Sequence, residues 1–209
     1  MTLGFIASPV FAHGLAEKGG GSGWDFLFRH NPPFETVSGT LMVGALVIAV
    51  AVGLFLFWRQ WRTGRASWVQ YSAWAYAAMF FLTTALTYIP GVSDAEGNFL
   101  GLFRLDLIDD LLHFGSGVWA MLAAWHSTRA SLAYFRIFGS LYLLDAAVGL
   151  VTQRGILDLG VFLAEYPNLS VWETVGANLP HILIGGIAVL IGFVWGRNTQ
   201  GRPNATRDA

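Results

Sequence analysis

Two histidines and one aspartate of this chain stand inside apolar runs, where polar side chains are costly and tend to face one another or a ligand. Asp110-Leu-Leu-His113-Phe-Gly-Ser-Gly117 opens one run and Asn178-Leu-Pro-His181-Ile-Leu-Ile-Gly185 opens another. Each begins with a short polar residue, places a histidine three later and a glycine four after that. Asp145 lies in a run between the two. Three chemistries fit these residues. In the first, His113 and His181 donate hydrogen bonds across helices with Asp145 as acceptor, each bond stabilising the bundle by ~0.6–2 kcal/mol. In the second, the two histidines are axial ligands of a tetrapyrrole such as haem. Gly117 and Gly185 then leave room for the macrocycle, and Arg104 and Arg154 meet its propionates. In the third, His113, His181 and Asp145 form a metal or proton site, a ligand set that specifies no particular ion.

Other chemistries are excluded by what the chain lacks. It has no cysteine, so thiolate metal sites, cysteine nucleophiles and Cys-x-x-Cys-His haem attachment are absent. Ser116 and Ser140 have no Gly-x-Ser-x-Gly context, and Gly19 to Gly23 form a linker, not a phosphate loop. His13 and His30 could chelate copper if cleavage exposed His13, but histidines in a glycine-rich tether usually remain solvated.

The elements that carry these residues follow from composition. Of 209 residues, 55% are hydrophobic and only 12% charged, against about 25% charged in soluble domains. The net charge of −1 excludes a broad basic face for nucleic acid. Five apolar runs approach the ~20 residues that cross a bilayer as a helix: Gly39 to Trp58, Ser72 to Ile89, Leu107 to Trp125, Phe135 to Val151 and Val175 to Trp195. The expected fold is therefore an all-α integral membrane bundle of about five transmembrane helices, with a four-helix core and a peripheral first span.

Basic residues set the direction. Arg59, Arg62, Arg65, Arg129, Arg136, Arg197, Arg202 and Arg207 fall on one side, and Lys18, Arg29, Arg104 and Arg154 on the other. The positive-inside rule makes the first group cytoplasmic, so the N-terminus is outside and the C-terminus inside. The long loops, Pro90 to Asp106 and Thr152 to Thr174, then face outward. Residues 1–12 read as a truncated signal segment ending in Val-Phe-Ala. Residues 13–38 form an extracytoplasmic segment, 39–196 the bundle and 197–209 a disordered cytoplasmic tail.

Helical spacing extends the motif. His113, Gly117, Ala120 and Ala124 share one face, and His181, Gly185, Ala188 and Gly192 another. Small residues so placed let helices approach closely. At 1.5 Å per residue, His113, His181 and Asp145 each lie roughly 9–12 Å inward of their outer helix ends, so they can share one layer. Thr83, Thr84 and Thr87 reach the same depth, and Asp106, Asp110 and His113 form a polar stripe leading in.

From Asp106 to Phe193 the chain resembles a bacterial family of small multi-spanning membrane proteins of unknown function. The likeness rests on the repeated Asn/Asp-x-x-His-x-x-x-Gly motif and on Phe138-Gly139-Ser-Leu-Tyr142 continuing to Gly149. It covers under half the chain. The resemblance implies a four-helix core in a bacterial inner membrane and implies no activity; Asp145 and the N-terminal segment depart from its pattern. Three functions are carried forward. The first is a non-enzymatic accessory or structural subunit, whose partners are the bilayer and other membrane subunits. The second is a tetrapyrrole-binding electron-transfer protein, and the third a small transporter or metal-site protein.

Overall fold

The computed structural model describes residues 36–89, 91–92, 98–99, 103–104, 106–163 and 168–200. The expected signal segment, nearly all of the extracytoplasmic segment and the tail beyond residue 200 lie outside the described residues. The chain is helical: α1 (Val37–Thr63), α2 (Trp68–Thr87), α3 (Leu107–His126), α4 (Thr128–Thr152), the single turn α5 (Gly160–Leu163) and α6 (Val171–Val189). Between α2 and α3, β1 (Asn98–Phe99) and β2 (Phe103–Arg104) pair antiparallel. After α6 the chain continues through a π turn, Leu190–Val194, and a 3-10 turn, Trp195–Gln200. Among the described residues, three helices are long and apolar enough to cross a membrane: Val37–Thr63, Thr128–Thr152 and Val171–Arg197.

Local chemistry explains where the helices begin. The apolar runs understate three of them, because capping residues lie upstream of the apolar stretch. Ser67 and Gln70 form a reciprocal capping box that starts α2 at Trp68 rather than Ser72. Ser127 caps α4, which therefore starts seven residues before Phe135. Ser170 and Glu173 start α6 at Val171. Asp106 and Asp109 cap α3 where its apolar run begins. Such caps satisfy amide donors that a helix cannot satisfy itself, at roughly 1 kcal/mol each. Gly64 ends α1 in the left-handed region, where a side chain would be strained.

Packing divides the bundle into two helical hairpins, α2 with α3 and α4 with α6, crossed by a lesser α3–α4 contact. The helix α1 is peripheral. Its buried residues, Gly39, Met42, Leu46, Ala49 and Gly53, fall alternately three and four apart, which is the seam of a helix touching its neighbour along one line. An aromatic core joins the hairpins. The Tyr76 ring meets Phe135 edge-on at 5.1 Å, Phe138 lies 4.1 Å from Tyr142, and the Tyr76 hydroxyl donates to the Ile184 carbonyl at 2.8 Å.

Candidate functional site

Asp145, buried on α4, commits both carboxylate oxygens to partners within the fold. Its Oδ1 accepts backbone N–H groups from Ile156 at 2.7 Å and Leu157 at 2.8 Å, in the loop that follows the same helix. Its Oδ2 lies 2.5 Å from His181 Nδ1 on α6. One carboxylate therefore ties a helix to the loop that follows it and to its partner helix. A bond of this length between an imidazole N–H and a carboxylate belongs to the strong, charge-assisted class. Among the described residues the Nε2 of His181 makes no hydrogen bond.

His113 is placed differently. Its ring stacks on Phe80 of α2 with centroids 5.9 Å apart, and its Nδ1 is buried without a partner. His181 meets Tyr142 edge-on at 5.0 Å, and Tyr142 in turn lies 6.0 Å from Phe80. A row of four rings thus runs from one histidine to the other across the hairpin boundary. Asp145 joins His181 and not His113. Among the described residues no group of three or more histidine, aspartate or glutamate side chains is close enough to hold a metal ion.

The small faces are filled by helix packing. A Cβ on Gly117 would come within 2.8 Å of the Phe81 ring. One on Gly185 would sit 3.0 Å from the Leu143 amide nitrogen and 3.2 Å from the Gly139 carbonyl, and one on Gly139 only 2.7 Å from the Val189 nitrogen. Ala120 and Ala188 are both fully buried. The clearance beside each histidine that a macrocycle would use is therefore taken by α2 in one hairpin and α4 in the other. Two cavities, one of about 250 Å³ between α3 and α4 and one of about 620 Å³ between α1 and α2, are lined by neither histidine.

The other polar residues of the layer are also bound within the fold. Asp110 accepts from the Thr87 hydroxyl at 2.9 Å. Asn178 donates to the Thr174 carbonyl, and its side chain fills the space over Gly149 on α4. Thr83 and Thr84 bond back to the Met79 and Phe80 carbonyls of their own helix. Asp106 accepts from the amides of Ile108 and Asp109 as the cap of α3. The backbone anchors at Ile156 and Leu157 had no signature in the sequence, because any residue but proline can supply an N–H.

The two hairpins match position by position. Gly117 lies over Phe80 and Phe81, as Gly185 lies over Tyr142 and Leu143. His113 meets the Phe80 ring, as His181 meets the Tyr142 ring. Asp110 reaches Thr87, as Asn178 reaches Gly149. At the spacing that sets Phe80 against Tyr142, the counterpart of Asp145 is Thr83, whose hydroxyl is turned onto its own helix. The orphaned Nδ1 of His113 thus has a structural cause: its hairpin lacks the carboxylate.

No protein-family profile, curated protein or solved structure matches this chain.

Proposed function

We propose that this chain is a non-enzymatic, multi-spanning membrane protein, an accessory or structural subunit of a membrane assembly, whose His/Asp layer holds its outer half together. The observation that carries the reading is the saturation of Asp145: its acceptor oxygens serve Ile156, Leu157 and His181. A carboxylate committed to two backbone amides and a neighbouring helix acts as a staple. Removing it would strand three donors in apolar surroundings.

In this reading five helices cross a bacterial inner membrane with the N-terminus outside. Contacts among helix ends support that arrangement. Gln60 near the end of α1 and Gln70 near the start of α2 both donate to the Ala124 carbonyl at the end of α3. Thr128 at the start of α4 donates to Ser67. Arg59, Arg62, Arg65 and Arg129 therefore gather at one end of the bundle, as the positive-inside rule asks of a cytoplasmic face.

The second reading, a tetrapyrrole protein, is favoured by the unpartnered His113 Nδ1 and weakened by the filled space over Gly117 and Gly185. The absorption spectrum of detergent-purified protein separates the two. Protein without visible bands, isolated together with other membrane subunits, is expected. A Soret band that disappears in both His113→Ala and His181→Ala would replace the structural reading with the tetrapyrrole one.

A further inference from the structure

The wedge between α1 and α2 is the larger of the two cavities described above. The helix α1 leans on α3 through Gly53, where a Cβ would come within 3.1 Å of Met121 Sδ. Its flank toward α2 stays open because the facing residues, Ala75 and Ala78, are too small to close the gap. The result is a cavity of about 620 Å³ with almost wholly apolar walls, including Val50, Leu54 and Leu82. At one end it is rimmed by aromatic rings: Phe57 meets Trp74 at 5.5 Å and Tyr71 at 6.4 Å, with Trp61 5.8 Å from Tyr71.

The same end is basic. Arg62 lies in the last turn of α1, stacked 4.9 Å over Trp58, and Arg65 follows the Gly64 cap, exposed. The described acidic residues Asp106, Asp109, Asp110, Asp145, Asp158 and Glu173 all belong to the opposite helix ends and the loops there. An apolar slot that opens beside uncompensated arginines fits a molecule with a hydrocarbon chain and an anionic head.

We propose that this groove holds one acyl chain of an anionic phospholipid from the surrounding bilayer, with its headgroup at Arg62 and Arg65. Charge argues for an anionic head, because basic residues next to a membrane span attract anionic lipid strongly and neutral lipid weakly. The aromatic rings at the mouth suit the headgroup boundary, where Trp and Tyr concentrate. The proposal rests on the membrane reading of α1 and on no role for the histidines, so a Soret band would leave it standing.

The test uses the full chain in mild detergent, washed free of native lipid and incubated with dioleoyl phosphatidylglycerol or dioleoyl phosphatidylcholine. Native mass spectrometry then counts the lipid retained. Wild type is expected to keep one phosphatidylglycerol in preference to phosphatidylcholine. Ala78→Phe, which fills the groove from an exposed position, is expected to lose it. Arg62→Gln with Arg65→Gln should cut the preference roughly fivefold or more. Should Ala78→Phe misfold by circular dichroism, Ala75→Leu carries the same arm, and the arginine arm needs neither. Equal retention of the two lipids, or unchanged retention in the folded groove variant, would overturn the proposal. So would a wild-type dimer that the groove variant splits, because a second copy would then occupy the slot.

Discussion

Asp145 is a single carboxylate holding three donors, and its substitutions should rank by how many of those donors they strand. Asp145→Asn keeps an oxygen for the Ile156 and Leu157 amides, and its amide can face an imidazole nitrogen. Asp145→Leu keeps nothing. Leaving a buried donor unsatisfied typically costs about 1–3 kcal/mol for each one stranded, whereas losing part of one hydrogen bond costs about 1–2 kcal/mol. Thermal unfolding in detergent should therefore place the leucine variant well below the asparagine variant. If the two melt together, the staple is not what holds this layer. Thr83 offers the converse experiment. A carboxylate there would stand to His113 as Asp145 stands to His181, so Thr83→Asp should be tolerated better with His113 present than in a His113→Phe background. A double-mutant cycle should give a coupling of about 1 kcal/mol or more in favour of the pair. A coupling of zero would mean that the hairpin correspondence fails at this position.

At the scale of elements, the α4–α6 interface is a backbone-to-backbone contact. The Gly139 and Gly185 positions each look directly onto the main chain of the other helix, so neither neighbour can move aside as a flexible side chain would. Gly139→Leu and Gly185→Leu should each destabilise by about 1–3 kcal/mol or more through overpacking. Gly117→Leu meets the Phe81 ring, which can give way in part, and the Cβ of Phe80. Its cost should be the smallest of the three. Gly115 and Gly186 supply the control: a Cβ at either meets nothing within 4 Å. Alanine at Gly186 should leave stability unchanged or raise it by about 0.5–1 kcal/mol, since glycine inside a helix carries an entropic cost. Equal effects at Gly185 and Gly186 would place both glycines on the lipid side and end the hairpin description.

For the whole molecule, the arrangement of helix ends makes a topological claim that chemical labelling can check. Trp172 at the start of α6 and Arg65 after α1 are both exposed and belong to opposite ends of the bundle. Cysteine at Trp172 should react with a membrane-impermeant thiol reagent in intact cells, while cysteine at Arg65 should react only after permeabilisation. The chain has no native cysteine to confuse the readout. The reverse pattern would invert the proposed orientation. Equal labelling in intact cells would mean that an odd number of crossings does not separate the two sites.

Composition and hydropathy made the helical character of the chain legible, because a long apolar run with few charges has few stable states other than a buried or membrane helix. The repeated histidine motif was legible for a related reason: residues three and four apart share a helix face, so His113, Gly117 and Ala120 had to align, as did His181, Gly185 and Ala188. Depth along each helix also follows from residue count, which placed Asp145 near the histidine layer. What depth cannot give is rotation about the helix axis. The tertiary structure turned Asp145 toward His181 and away from His113, and it recruited the Ile156 and Leu157 amides, which every residue but proline possesses and no side-chain pattern announces. It also filled the glycine faces with neighbouring helices where sequence alone left room for a cofactor, since a missing side chain does not say what takes its place. The match of Thr83 with Asp145 emerged only once packing showed which residues of α2–α3 and α4–α6 face one another; α2 and α4 share too little sequence for that correspondence to be read in advance.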